Sequence, residues 1–180
     1  MITFNTEGMA MPDIDQEKIR QWVEAVAGTY GKRVGEINYI FVDDERILEI
    51  NRQFLGHDYY TDIITFDYTE GRILSGDLYI SLDTVRSNAE QLSSHLSLLP
   101  SLSRGGVGVG SASHLPLRSR YSLATPSAFS PLTSHYQSEL HRVVIHGVLH
   151  LCGINDKGPG EREIMEAAEN KALHELLHTQ

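Results

Sequence analysis

The 180-residue sequence contains a single cysteine, Cys152, so it has no disulfide framework. The shortage of thiols also excludes the common structural zinc sites, which take several cysteines. No stretch approaches roughly 18 uninterrupted apolar residues, and the first residues lack the pattern of a signal peptide. These absences predict a protein of the cytoplasm with no membrane span.

Positive charge is scarce as well. Lys and Arg number 15 against 24 Asp and Glu, and the formal net charge is -9. Nucleic-acid-binding proteins usually have a basic surface, so this balance alone counts against such a partner. A bound metal ion would nevertheless supply local positive charge at a phosphate site. At 41% hydrophobic, the chain is long enough for one domain with a core and too short to expect two.

The periodicity of apolar residues alternates between that of strands and that of helices. The predicted strands cover residues 1–6, 36–42, 62–68 and 77–81. The predicted helices begin at Asp13 or Asp15, at Asp43 or Asp44, at Asp83, near Ser138, and at Glu161. We therefore predict an α+β fold in which a mixed sheet of about four strands is packed with helices.

The residues from His146 to Asp156 read H-G-V-L-H-L-C-G-I-N-D. His146 and His150 are four apart, so their imidazoles lie on one helical face, one turn from each other. Gly153 is suited to end the helix in a left-handed conformation, after which the chain returns a carboxylate, Asp156. Two imidazoles and one carboxylate are typical of a catalytic zinc site, which keeps water in the fourth position.

A histidine pair at this spacing also occurs on ordinary amphipathic helices. His174 and His178 repeat the spacing near the end of the chain without a third ligand, and we interpret them as solvated. At the first pair, Gly147 allows another segment or a substrate to approach closely. Gly147 also stands where H-E-x-x-H metalloproteases have their catalytic glutamate, which excludes that design.

Three other side chains near this segment belong to types that can bind metal or act in catalysis. Cys152 points about 200° away from His150 on the helix, which predicts a packed thiol and not a ligand. His141 belongs to another face of the helix, either at the surface or in the core. No general base can be assigned, and Glu139 is no more than a candidate.

The segment from His146 resembles the H-G-x-L-H-L-x-G signature of the YbeY family of bacterial metal-dependent endoribonucleases, which act in ribosomal RNA maturation. Residues 60–66, Y-T-D-I-I-T-F, resemble the family's P-T-D-V-L-S-F stretch. Residues 76–81, G-D-L-Y-I-S, resemble its G-D-I-x-I-S strand. Within the first of these, Thr61 and Asp62 match the motif, and we interpret them as loop hydrogen-bonding residues more than as catalysts.

Two positions depart from the family pattern. The family usually ends its signature in G-Y-D-H, and Asp156 stands in place of that third histidine. A carboxylate is a competent ligand, but it changes the charge of the site and the preference among zinc, manganese and nickel. Leu55 stands where many members carry an arginine thought to engage RNA, and this role is not transferred to the nearby Arg52.

Residues 93–135 contain no Asp, Glu or Lys and are rich in serine, proline and glycine. Such a composition predicts a disordered or loosely folded insertion. The resembling family passes directly from the helix near Gln91 to the metal-bearing helix, so the segment is extra. Its arginines and scattered histidines lack any specific phosphate-binding or ligand spacing.

The resemblance implies a single-strand-specific, metal-dependent endoribonuclease that acts in 3′ end maturation of small-subunit ribosomal RNA and in ribosome quality control. It implies one Zn²⁺ per chain, or Mn²⁺ or Ni²⁺, held by His146, His150 and Asp156. The expected partners are ribosomal RNA and the small ribosomal subunit. Two alternatives stay open: a metal hydrolase acting on another bond, and a non-enzymatic ribosome-assembly module with a structural metal.

Overall fold

A computed structural model describes residues 1–97 and 131–178 of the chain. The strands of this part are β1 (Ile2–Thr6), β2 (Arg33–Val42), β3 (Ile63–Asp67) and β4 (Ile73–Ser81). Its α-helices are α1 (Gln16–Thr29), α2 (Asp44–Ile50), α3 (Leu82–Ser97), α4 (Pro131–Leu151) and α5 (Glu161–His178). A π-helical turn over Asn51–Leu55 continues α2. No helix within the described ranges is long and apolar enough to cross a membrane.

The four strands form one mixed sheet in the order β1-β2-β4-β3. β1 and β4 both pair with β2 in parallel, and β3 pairs with β4 antiparallel at the edge. In register, Phe4 lies beside Tyr39 and Tyr39 beside Leu78. The predicted α+β class with a mixed sheet of about four strands is confirmed.

Alternate residues of the strands point to opposite faces of the sheet, as the pleat requires. One face carries Tyr39 and Leu78 into the main core, which helices α1, α4 and α5 cover. The opposite face forms a smaller core with α2, where Ile40 packs near Ile47 and Ile50. The site-bearing helix α4 therefore lies over the larger core.

Gly147 sets how closely α4 approaches the sheet. A Cβ at this position would lie 2.2 Å from Leu78 Cδ2 and 2.8 Å from Ile63 Cδ1. Any side chain at this position would force Leu78 and Ile63 to shift, whereas glycine allows this packing without a shift. The predicted close approach of another segment at Gly147 is confirmed, and it fixes the depth at which His146 is held.

Most predicted helix starts agree with the structure. The Asp15 side chain accepts from the Lys18 N–H at the start of α1, and Asp43 caps α2. The prediction that Asp83 caps α3 is wrong. The Ser81 hydroxyl oxygen accepts the N–H of Thr84, because the helix already begins at Leu82.

Helices α3 and α4 reach into the segment 93–135 from its two ends. Residues 93–97 belong to α3, and residues 131–135 form the first turns of α4, which therefore begins earlier than expected. Proline suits a first helical turn, because the N–H that it lacks would have no intrahelical partner there. Helices α3 and α4 pack against each other. The remainder of the insertion predicted to be disordered or loosely folded, residues 98–130, lies outside the described residues.

Candidate metal centre

Helix α4 presents His146 and His150 on one face, as their spacing predicted. Their rings are nearly perpendicular, at 89°, with centroids 4.5 Å apart. The two Nε2 atoms face each other at 2.9 Å. The side chains are 21% and 27% exposed, so both edges are reachable from solvent while most of each ring is covered.

The chain then returns Asp156 to the same point. Gly153 has φ +95°, and the Ile154 N–H donates to the carbonyl of Leu149, which closes the end of the helix. Asp156 Oδ2 lies 3.7 Å from His146 Nε2, and Oδ1 lies 3.8 Å from His150 Nε2. The structure thus brings together the three residues proposed as ligands.

The other ring nitrogens show which tautomers are present. His150 Nδ1 lies 2.9 Å from the carbonyl oxygen of Ile154. A carbonyl accepts but cannot donate, so Nδ1 carries the hydrogen. His146 Nδ1 lies 2.7 Å from Glu169 Oε1 and donates to that carboxylate in the same way. In the neutral rings both Nε2 atoms therefore have lone pairs directed at one point, where a bound cation would offset their repulsion.

Glu169 is the functional residue that the sequence reasoning missed. It lies on α5, is only 6% exposed, and accepts a 2.7 Å hydrogen bond from Arg142 Nη1. Arg142 Nη2 donates to Asn170 Oδ1 at 3.1 Å. A signal was present, because Glu169 occupies the helical stripe that buries Met165 and Ala172. A carboxylate in a buried apolar stripe requires a charged partner.

These contacts give the two histidines opposite protonation behaviour. Burial lowers the pKa of His146, but the hydrogen bond and charge of Glu169 outweigh it, and the net pKa is raised. Burial, followed by the charge of His146, lowers the pKa of His150. Burial acts to raise the pKa of Glu169, yet hydrogen bonds from His146 and Arg142 hold it below its usual value. Glu169 is therefore a charged, fixed acceptor behind His146.

A cavity of about 370 Å³ opens on His146 and Asp156. Half of its polar lining residues are acidic; the full lining comprises Asp62, Asn88, Gln91, Leu92, Glu139, Arg142, Val143, His146, Asp156, Arg162, Met165, Glu166 and Glu169. Its two arginines differ. The Arg142 side chain is 12% exposed and held by Glu169, whereas Arg162 is 61% exposed and contacts Glu166 Oε1 at 3.4 Å.

Four other residues discussed in the sequence analysis lie in the loop before β3 and on α4 or just after it. Thr61 Oγ1 donates to the carbonyl of Ile63, which is the predicted loop role, and Asp62 lines the cavity. Cys152 is half-buried and lies outside the ligand cluster, and burial raises its thiol pKa to about 11, in agreement with a packed thiol. The ring of His141 packs edge-on to Trp22, on another face of α4.

His174 is exposed, as expected for a solvated residue, whereas the side chain of His178 lies outside the described residues. Leu55 is 48% exposed and is not among the residues that line the cavity. Arg52 forms a 2.6 Å ion pair with Asp58. Glu139 does line the cavity, although it is 6% exposed and lies 4.0 Å from Arg142 Nε.

Comparison with known proteins gives consistent matches. The family described as endoribonuclease YbeY matches residues 2–99 and 127–177, so the unmatched stretch between them lies inside the segment predicted to be extra. Proteins named endoribonuclease YbeY from Bacteroides fragilis and Phocaeicola vulgatus are each 55% identical over 172 and 173 residues, covering 96% of this chain and 95% and 96% of theirs. The Porphyromonas gingivalis protein of that name is 44% identical, covering 99% of this chain and 91% of its own.

A solution structure of a Thermotoga maritima protein is similar to this chain in fold. Its TM-score is 0.56 at 25% sequence identity, and the match covers 98% of this chain and 89% of that one. The likeness therefore extends over the sheet and the helices that carry the candidate metal centre.

Proposed function

We propose that this chain, which belongs to the endoribonuclease YbeY family, is a single-strand-specific, metal-dependent endoribonuclease that processes ribosomal RNA in the cytoplasm. Its expected substrate is the 3′ end of small-subunit ribosomal RNA, with the small ribosomal subunit as partner and a role in ribosome quality control. Relatives that carry the endoribonuclease name match nearly the whole chain, which supports hydrolysis of a phosphodiester bond.

One observation carries the metal dependence. The Nε2 atoms of His146 and His150 face each other at 2.9 Å while the hydrogen of each ring is directed the other way, to Glu169 and to the Ile154 carbonyl. The Asp156 oxygens lie 3.7 Å from His146 Nε2 and 3.8 Å from His150 Nε2. Two ligands of one zinc ion are at most two zinc–ligand bonds apart, each roughly 2.0 to 2.2 Å, and every pair of these donor atoms is within that limit. The donor set therefore fits a single divalent cation.

We assign His146, His150 and Asp156 as its ligands. Imidazole nitrogen and carboxylate oxygen both suit Zn²⁺, and Mn²⁺ or Ni²⁺ are alternatives because the carboxylate changes the preference among these ions. A bound divalent ion would supply a Lewis acid that polarises a phosphoryl oxygen and makes water more acidic. Three protein ligands, instead of four, are the number that a catalytic site provides.

The surrounding residues orient this set and the substrate. Glu169 and the Ile154 carbonyl fix the ring tautomers, so that both Nε2 atoms stay available as donors to the ion. Arg142 donates to Glu169 and Asn170 and cannot turn toward a substrate without losing its ion pair with the buried Glu169 carboxylate. Arg162 is exposed at the same cavity, where it contacts Glu166 at 3.4 Å, so we assign it to a substrate phosphate.

The direct test compares cleavage of a single-stranded RNA and of the same sequence in a duplex by protein loaded with Zn²⁺, Mn²⁺ or Ni²⁺. We expect cleavage of the single strand, much less of the duplex, and loss of both in His150→Ala. A peptide and a small phosphoester should not be hydrolysed.

Two results would overturn the proposal. Cleavage of another bond with RNA left intact would indicate a different metal hydrolase. Wild-type protein that contains one ion per chain, unfolds on its removal, and never cleaves RNA with any of the three ions would indicate a structural metal in a non-enzymatic module.

A further inference from the structure

A short aromatic loop, defined here as residues 57–60, joins the π-helical turn to the region of β3. It exposes two consecutive tyrosines, Tyr59 at 56% and Tyr60 at 57%. Large exposed aromatic side chains placed together are uncommon on a protein surface and usually mark a contact site. Their role is not explained by the cation site or by the core.

The loop is ordered in spite of its exposure. Asn51 is 1% exposed, and its Nδ2 donates to the carbonyl of Tyr59 at 2.8 Å, while its own carbonyl accepts the N–H of His57 at 3.2 Å. The rings of His57 and Tyr59 stack with centroids 5.2 Å apart and an angle of 20°. Hydrogen bonds to Asn51 thus hold the loop backbone in place. Binding at the aromatic side chains therefore costs little backbone conformational entropy.

The loop also lies next to the cavity. Tyr60 is two residues before Asp62, which lines the cavity with His146, so their Cα atoms are within about 7 Å. The negative charge of Asp58 in this loop is offset by Arg52, which precedes the loop and lies 2.6 Å from Asp58. The chain has a net charge of -9 and therefore repels the phosphates of RNA. At this neutral surface the repulsion is weaker, and the bases of the RNA can contact the protein.

From this juxtaposition we infer that Tyr59 and Tyr60 form a stacking surface for unpaired nucleobases of single-stranded RNA entering the cavity. The inference rests on the proposed function and adds the part of the substrate that is recognised. Every base has a π face, so stacking selects unpaired bases with little sequence preference. A duplex hides those faces, and the same surface therefore excludes it.

The experiment measures binding of the full-length chain to a fluorescent single-stranded RNA by anisotropy in EDTA, where no cleavage occurs. Tyr59→Ala/Tyr60→Ala should weaken binding by roughly tenfold or more, and Tyr59→Phe/Tyr60→Phe should bind like the wild type. Tyr68→Ala is the matched control, because Tyr68 is also 57% exposed but follows the other end of β3. Circular dichroism confirms that each variant is folded.

An RNA with abasic sites at its centre separates stacking from a general loss of binding. Its affinity should fall for the wild type and should not fall further for the double alanine variant. Equal binding of intact RNA by the wild type and the double alanine variant would overturn the inference while leaving the nuclease proposal intact, provided that both cleave RNA when metal is restored. A loop-dependent self-association of the wild type in sedimentation, with unchanged RNA binding, would assign the tyrosines to a protein contact and would also overturn it.

Discussion

His141 and His146 lie on the same helix, five residues apart, and their environments have opposite effects. His141 packs edge-on to Trp22, and burial, followed by the charge of Lys18, lowers its pKa to about 4. Burial also lowers the pKa of His146, but Glu169 lies 2.7 Å from its Nδ1 and raises the net value. Both rings are largely covered, so coverage alone does not explain the difference.

The difference lies in what each helix face meets. The face with His141 meets an indole from α1, which offers no charge, whereas the face with His146 meets a buried carboxylate from α5. An imidazole that donates to a carboxylate is a better electron donor at its other nitrogen. One helix therefore carries a packing histidine and a histidine that we propose as a metal ligand, and the element packed against each ring sets its environment.

The largest expected effect separates the two histidines by activity. His146→Ala should reduce RNA cleavage by at least about 1,000-fold, or roughly 4 kcal/mol of barrier, because a ligand is lost. His141→Ala should retain activity within a few fold, since its ring faces Trp22 and not the cavity. Initial rates with the same metal and single-stranded RNA measure both, and comparable losses in the two variants would remove the distinction.

Removing the carboxylate should convert the environment of His146 into one like that of His141. Glu169→Ala should destabilise the fold by about 3 kcal/mol, because it removes the carboxylate that lies 2.7 Å from the largely buried Arg142 guanidinium. Metal affinity should fall about 10- to 100-fold in Glu169→Gln, which keeps the shape. Glu163→Ala, at an exposed position of the same helix, should leave both quantities unchanged. Denaturant unfolding and metal titration are the measurements.

The pH dependence of stability tests the packing histidine. Because the pKa of His141 is lowered to about 4 in the folded state, the unfolded state binds more protons between about pH 6.5 and 4. Stability should therefore fall as the pH drops through this window, by roughly 1.4 kcal/mol per unit at most. His141→Phe should lose this slope, and retention of the full slope would show that other groups cause it.

The smallest effect concerns the partner of His150. Gly153 has φ +95°, so Gly153→Ala should cost about 1 kcal/mol of folding free energy and should disturb the hydrogen bond from His150 to the Ile154 carbonyl. Gly28→Ala is the control, because that glycine has an ordinary helical position with open space around it. If Gly153→Ala is as stable as the control, the turn does not depend on the left-handed conformation.

Much of the site was predictable because it is local in sequence. The spacing of His146 and His150 fixes their shared face, and Gly153 determines where the helix ends and Asp156 returns. Glu169 could not be assigned to His146, since it reaches the site from a different helix and only tertiary packing brings them together. The helical pattern of α5 nevertheless marked it as buried.

In the fold too, features that depend on neighbouring residues were predictable, and features that depend on distant segments were not. Caps at Asp15 and Asp43 were predictable, because a side chain bonding a nearby N–H depends on neighbouring residues alone. The strand order depends on pairing between distant segments and had no local signal. The composition of residues 131–135 also gave no helical signal, although α4 begins at residue 131.

The most direct test of the central claim is the metal content of the purified chain, measured by elemental analysis and by titration for the wild type and for Asp156→Ala. We expect one divalent ion per wild-type chain and a markedly weaker site in the variant, with His141→Ala equal to the wild type. Equal stoichiometry and affinity in wild type and Asp156→Ala would contradict a site formed by His146, His150 and Asp156.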